Sequence, residues 1–161
     1  VGADDFTFKK KPTGLFKWIL QSPKWIFRAH LGFIFGSRFL MLEHVGRKSG
    51  KVYQTPLEVA SRDREHDEYV VTSGTGVNAD WYRNIKANPA VAIWLGSHRY
   101  PVAQRFLPTA EAVERMKEYE WEHPKTAAKL EDMMGVSHDD TDESWTAMME
   151  RIPMIGFTPQ R

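Results

Sequence analysis

At 161 residues, with 22 Lys and Arg against 21 Asp and Glu, the chain has the length of one domain spanning 1–161 and a net charge near +1. That length buries a single core without covalent staples, and the near-neutral balance lacks the basic footprint of a nucleic-acid binder. The absence of cysteine excludes disulfides, thiolate zinc sites and cysteine nucleophiles, and it fits a reducing compartment, so a cytoplasmic location is expected.

Residues 1–13 place Asp4 and Asp5 ahead of Lys9, Lys10 and Lys11, which reads as a flexible lead and not as a signal peptide. Residues 14–35 set Leu15, Trp18, Ile19, Trp25, Ile26, Leu31 and Phe35 at helical spacing, with Lys17, Gln21, Lys24 and Arg28 along one stripe. The pattern predicts an amphipathic helix broken near Pro23. Packing on the domain is the expected role of this helix, with peripheral contact at an anionic membrane as the alternative. No run reaches the roughly eighteen apolar residues of a membrane span.

From Arg38 the period becomes that of strands. Phe39, Leu40, Met41 and Leu42 are dense enough to be buried on both faces, and 51–60 alternates Tyr53, Thr55, Leu57 and Val59 on one side, with Pro56 marking an edge, a bulge or a ligand-facing break. The charged stretch 61–67 reads as a loop and 68–73 as a third strand. Asn78 is placed to cap a helix through Ala87 that Asn88 and Pro89 stop, and 90–95 with 98–106 forms a hairpin around Gly96 and Ser97. Thr109 is placed to cap a helix to Glu122, where His123 and Pro124 break it, and a second piece ends at Gly135. A short helix near 143–150 and a strand over 152–157 complete the chain, with Met133, Met134, Met148 and Met149 filling gaps in the core. Five or six short strands with helices at the ends predict a small, mostly antiparallel barrel.

Chemistry concentrates in two glycine-rich elements. Gly46, Arg47, Lys48, Ser49 and Gly50 form a tight basic turn whose backbone N–H groups and two cations suit a phosphate. About thirty residues later, Ser73, Gly74, Thr75, Gly76, Val77, Asn78, Ala79 and Asp80 lead into a short helix carrying Trp81 and Asn84, where further N–H groups suit another polar part of a ligand. Trp81 and Asn84, three apart on one helix face, would meet one ligand as an apolar wall and a hydrogen-bond partner. Trp81 with Ile85 as a plain core face is the alternative.

The order of these parts, from the basic turn through Trp81, Tyr82, Arg83 and Asn84 to Ala87, Asn88 and Pro89, resembles the deazaflavin-dependent nitroreductase and quinone reductase family over about residues 38–107. The resemblance implies a split β-barrel of the kind that also binds FMN. It implies coenzyme F-420, an 8-hydroxy-5-deazaflavin with a phosphodiester and a polyglutamate tail, and hydride transfer to a small electron-poor acceptor such as a quinone, an enone or a nitroaromatic. On that pattern Arg47, Lys48, Ser49 and Gly50 would hold the phosphate. Thr55, Pro56, Ser73, Thr75, Gly76, Asn78, Trp81 and Asn84 would line the ring site.

Candidates for proton transfer, by residue type, are Ser73, Tyr82, Tyr119 and His123. Where nitro-reducing relatives carry a Tyr-Pro-x-Tyr segment, this chain reads His123, Pro124, Lys125 and Thr126, which departs from the nitro-reducing pattern. An FMN-dependent reductase of the same fold and a non-catalytic carrier of a coenzyme or acyl chain are the alternatives, and the chain is expected to be a monomer or a homodimer. No metal is expected: the histidines lack zinc spacing, and the stretch from His138 to Glu143 reads as a solvated acidic lead into a helix.

Overall fold

Alternating side chains form the strands, and the computed structural model describes residues 38–161. The expected lead over 1–13, the helix over 14–35 and its membrane contact lie outside the described residues. Six strands, β1 (Phe39–Val45), β2 (Val52–Asp63), β3 (Glu68–Thr72), β4 (Ala92–Leu95), β5 (His98–Phe106) and β6 (Met154–Pro159), close a barrel in the order β1, β2, β3, β6, β5, β4. Every pairing is antiparallel, and β4 returns to β1 to complete the circuit, while β2 before Val59 has β1 alone as its ladder partner. Among the described residues the helices are α1 (Asp80–Ala87), α2 (Thr109–Glu122), α3 (Pro124–Met134) and α4 (Asp142–Arg151).

Period-two alternation sorts the apolar residues into two cores. Tyr69 and Val71 of β3 join Leu40, Leu42, Ile93, Ile155 and Phe157 in the barrel and under α1, whereas Val70 and Met154 turn the other way, under α2 and α4, with Met116, Trp145 and Met149. Strands β3 and β6 are thus buried on both faces, which explains their unbroken apolar runs.

Local signals set most helix ends, though two predicted caps are misplaced. Pro124 opens α3 after His123 breaks the chain, and Gly135, left-handed at φ 67°, closes it with its N–H on Glu131 O. Thr141 caps α4 by accepting from the Ser144 N–H at 3.2 Å. Asn78, however, stays exposed: Ala79 N–H donates to Gly76 O, which tightens the loop, so α1 starts at Asp80 with Ala79 in the capping position. Thr109 is the first residue of α2, with Pro108 ahead of it and no side-chain cap. Strand β2 runs on to Asp63 through an irregularity between Val59 and Ser61; Pro56 pairs with Met41 of β1 and lies ahead of the residues that pair with β3, on an edge of the ladder.

Two buried carboxylates stitch the barrel wall. Glu43 of β1 accepts from Gln54 of β2 at 3.1 Å, from Trp94 of β4 at 2.7 Å and from Arg99 of β5 at 2.7 and 2.9 Å. Burial pushes its pKa up, but these donors outweigh burial and hold it below the ordinary value, so its contribution is present at neutral pH and lost only as acid protonates it. Glu68 is clasped by Arg105, which also reaches Glu111 on α2 at 2.7 and 2.8 Å. Gly156 makes room for this pair, because a Cβ there would collide with the Glu68 carboxylate. Gly156→Ala is therefore expected to lower unfolding free energy by about 1–3 kcal/mol, read from the urea midpoint; an unchanged midpoint would show the carboxylate free to move aside.

Candidate active site

The basic turn is built by backbone bonds. Gly46 N–H donates to Lys51 O and Gly50 N–H to Gly46 O, both at 2.8 Å, and Gly50 takes φ 67°. A side chain at Gly46 would strike Ser49 Oγ and the Tyr53 ring. Among the described residues, the Lys48 and Ser49 N–H groups take no part in the turn's own hydrogen bonds.

Helix α1 fixes where this turn points. Asn84 Oδ1 accepts from Arg47 N–H at 3.0 Å and from Arg47 Nη1 at 2.9 Å, while Arg47 Nη2 donates to Asp80 Oδ1 at 2.9 Å. Both Arg47 groups are donors, so the Asn84 amide has one orientation, and its Nδ2 donates to His44 Nδ1 at 3.1 Å. The imidazole proton then sits on Nε2, which donates to Thr55 Oγ1 at 2.9 Å. The chain of bonds runs one way from Arg47 to Thr55 and does not use the Thr55 hydroxyl hydrogen. His44 is 3% exposed and stacks on Tyr53 at 6.0 Å, and Tyr53 reaches Ser49 Oγ at 3.1 Å.

Two chambers meet at this network. A polar one of about 540 Å³ is walled by His44, Gly46, the turn from Arg47 to Ser49, Tyr53, Gln54, Asp80 and Asn84. An apolar one of about 250 Å³ lies between the outer face of β2 and β3 and the helices, walled by Pro56, Leu57, Leu130 and the methionines 116, 133, 134 and 148. Thr55, Thr75 and Trp81 line both. Trp81, 9% exposed, belongs to the barrel core as well, so one side chain serves both the core face and the chamber walls.

The structure gathers most of the expected cofactor residues and disperses others. Arg47, Lys48, Ser49, Thr55, Thr75, Trp81 and Asn84 line the polar chamber, and Pro56 lines the apolar one. Gly50 and Gly76 shape the backbone with positive φ, and neither they nor Asn78 line a chamber. Ser73 is fully buried and donates to Gly76 O at 2.6 Å, closing the loop, while Thr72 before it and Gly74 after it reach the apolar chamber.

Of the proton-transfer candidates, only Tyr119 lines either chamber, and burial pushes its hydroxyl up to about 12. Tyr82 lies elsewhere, edge-on to Phe106 at 5.6 Å, and exposed His123 sits behind Tyr119 with ring centroids 5.2 Å apart. Sequence reasoning missed His44, Tyr53, Gln54 and Asp80; the alternation that places Tyr53 beside Thr55 was the available signal for Tyr53. It also missed His138, which the fold brings to 3.0 Å from Glu120 and 3.4 Å from Glu131 while stacking on Trp145. Burial raises the Glu131 pKa and His138 opposes that shift.

A closed split barrel with a cationic turn over a polar chamber is a scaffold suited to an anionic ligand. Residues 27–137 match the family model described as F420H(2)-dependent quinone reductase. Rv3178 of Mycobacterium tuberculosis, named for that same quinone reductase activity, is 36% identical over 123 residues, covering 75% of this chain and 89% of its own. The chain therefore belongs to the F420H(2)-dependent quinone reductase family, and it is an oxidoreductase that uses coenzyme F-420. In fold it is similar to an F420-H2 dependent reductase, FDR-A (TM-score 0.50, 23% identity, 74% of this chain and 93% of that one), and to a domain-swapped dimer (TM-score 0.50, 21% identity, 83% and 97%). HutZ, a heme storage protein from Vibrio cholerae, shares the fold equally (TM-score 0.50, 9% identity, 83% and 89%), so the barrel alone does not select the ligand.

The hydrogen-bond geometry makes His44 an Nε2–H tautomer. Imidazole 15N correlation spectra are expected to show that pattern for His44 in wild type and a changed pattern in Asn84→Ala; an Nδ1–H signature in wild type would contradict the directions assigned between Asn84, His44 and Thr55.

Proposed function

We propose that the polar chamber holds coenzyme F-420, with its phosphate at the 46–50 turn and its ring against Trp81, and that the neighbouring apolar chamber receives a quinone. One observation carries this reading: a polar and an apolar chamber share the wall of Thr55, Thr75 and Trp81. A hydride donor and its acceptor must touch across a short gap, and two adjoining chambers of opposite character provide that contact.

The residues fit the coenzyme. Asp80 already answers the Arg47 charge at 2.9 Å, so Arg47 chiefly sets the turn in place. Lys48 has no ion-pair partner among the described residues and supplies the uncompensated charge, next to the free N–H groups of Lys48 and Ser49. The Thr55 hydroxyl hydrogen offers a directed donor to a polar edge of the ring. When bound, the reduced coenzyme supplies the hydride; the protein contributes position, a dry wall and donors. Reduction of a quinone to a quinol takes that hydride and one proton.

Quinones are favoured over nitroaromatics because the methionine-lined chamber is apolar and the stretch His123 to Thr126 departs from the nitro-reducing pattern. With the family shown, neither FMN nor a non-catalytic carrier is needed. Among the described residues no helix is long and apolar enough to cross a membrane, and we assign turnover to the cytoplasm, where a cysteine-free chain meets no special demand.

Lys48→Ala is expected to weaken coenzyme binding roughly 3- to 10-fold at low salt, with the loss shrinking as salt rises and the thermal midpoint unchanged. Isothermal titration checks this; equal affinity in the variant would move the phosphate off the turn.

A further inference from the structure

We infer that Glu120, Glu131 and His138 form a binding site for one divalent transition ion of the zinc class, at the junction of α2, α3 and the segment that leads into α4. The inference does not depend on which ligand either chamber holds.

The donors come from three separate pieces of chain. Glu120 sits in the last turn of α2, Glu131 in the last turn of α3, and His138 in the stretch between α3 and α4. Only the fold brings them together, which is why the sequence, read for zinc spacing, leads to the expectation of no metal. His138 Nε2 lies 3.0 Å from Glu120 Oε2 and 3.4 Å from Glu131 Oε1, and the three donor atoms lie within 4.8 Å of one another. An ion with bonds of about 2.1 Å sets neighbouring ligands about 3.0–3.4 Å apart, so the imidazole already stands at that distance from both carboxylates.

Charge leaves the cluster incomplete without a cation. The His138 side chain is 7% exposed and stacks on Trp145 with ring centroids 3.6 Å apart, so the ring is held in place. Among the described residues, no Lys or Arg pairs with Glu120 or Glu131, and Lys117, which stands over the Trp145 ring, pairs with Glu114 and Asp142. Neither α2 nor α3 has a basic residue in its last turn. A helix carboxyl end carries partial negative charge and favours a cation, so two glutamates placed there deepen a deficit that one imidazole does not balance.

Asp140 serves the imidazole with or without an ion. Its N–H lies 3.3 Å from Nδ1, which leaves the ring proton on Nε2 facing Glu120, and its Oδ1 lies 3.3 Å from the same Nδ1. When an ion takes the Nε2 lone pair, the proton moves to Nδ1 and donates to the Asp140 carboxylate, the kind of outer partner that fixes a metal-bound imidazole. One nitrogen and two carboxylate oxygens suit zinc better than magnesium or calcium, which favour oxygen alone. Three ligands leave a position for water, and Glu120, 36% exposed, opens the way in. Bound there, the ion ties α2 to α3, the helix whose Leu130, Met133 and Met134 wall the apolar chamber.

The test titrates zinc chloride by calorimetry into the full chain after dialysis against a chelator, for wild type, His138→Gln, Glu131→Gln, Asp140→Asn and His66→Gln. Wild type is expected to bind one equivalent with a dissociation constant of about 1 μM. His138→Gln and Glu131→Gln are each expected to weaken binding roughly 100-fold and Asp140→Asn roughly 10-fold. His66→Gln removes an exposed histidine that lies 2.8 Å from Asp63 and is expected to change nothing. The thermal midpoint rises with zinc in wild type, and the two ligand variants lose that rise. Glu131→Gln keeps the shape of its side chain, so it reports on the ligand even where His138→Gln disturbs the Trp145 stack. No zinc heat in wild type, unchanged affinity in Glu131→Gln, loss of binding through His66→Gln, or displacement of zinc by equimolar magnesium would each overturn the site.

Discussion

The rest of the site depends on one amide oxygen. Asn84 Oδ1 accepts from the main chain and the guanidinium of Arg47, and so joins the first hairpin to a helix that begins more than thirty residues later. Without that joint the 46–50 turn would be an ordinary solvated hairpin tip, free to swing. With it, the cations stand over a chamber whose far wall is the same helix, and the orientation of the amide passes through His44 to Thr55. Buried networks of this kind fix geometry at the expense of tolerance, because each member left alone would lose its partner inside the protein.

The barrel makes such a joint possible by closing on itself. Strand β1 lies between β2 and β4, so the strand that pairs with Tyr53 and Thr55 is itself fixed by a second ladder, and Glu43 draws donors from three other strands into the same seam. On the opposite side, β3 and β6 are apolar on both faces, which lets α2 and α4 pack outside the barrel and leaves the methionine-walled space beside β2. The division of labour follows from this layout. Charge and hydrogen bonds collect where a loop meets a helix end, and flexible apolar side chains collect where helices cover a sheet. Trp81, belonging to both, separates the two.

Much of this was legible in the sequence, and the failures have physical causes. The basic turn, the helix break at His123 and Pro124 and the stop at Gly135 are local, set by residues a few positions apart, and they appear where the sequence placed them. Hairpin strands β4 and β5 follow for the same reason. The placement of Ser73 is a matter of register: the third strand ends at Thr72, and a shift of one residue exchanges faces, so Thr72 lines the chamber and Ser73 turns back to Gly76. Asn78 has the right residue type for a cap, but the backbone bond from Ala79 to Gly76 starts the helix later. His44 was invisible because its partners, Thr55 and Asn84, are 11 and 40 residues away, and nothing in a single sequence announces such a contact.

The most direct test of the account is a crystal structure of the protein with coenzyme F-420 bound. The account predicts the phosphate within hydrogen-bonding distance of Lys48 and the amides at the tip of the turn, and the deazaflavin ring against Trp81 between Thr55 and Thr75. A coenzyme seated elsewhere, for example on the exposed Trp121 face of α2, or lying in the methionine-walled space in place of the acceptor, would contradict it.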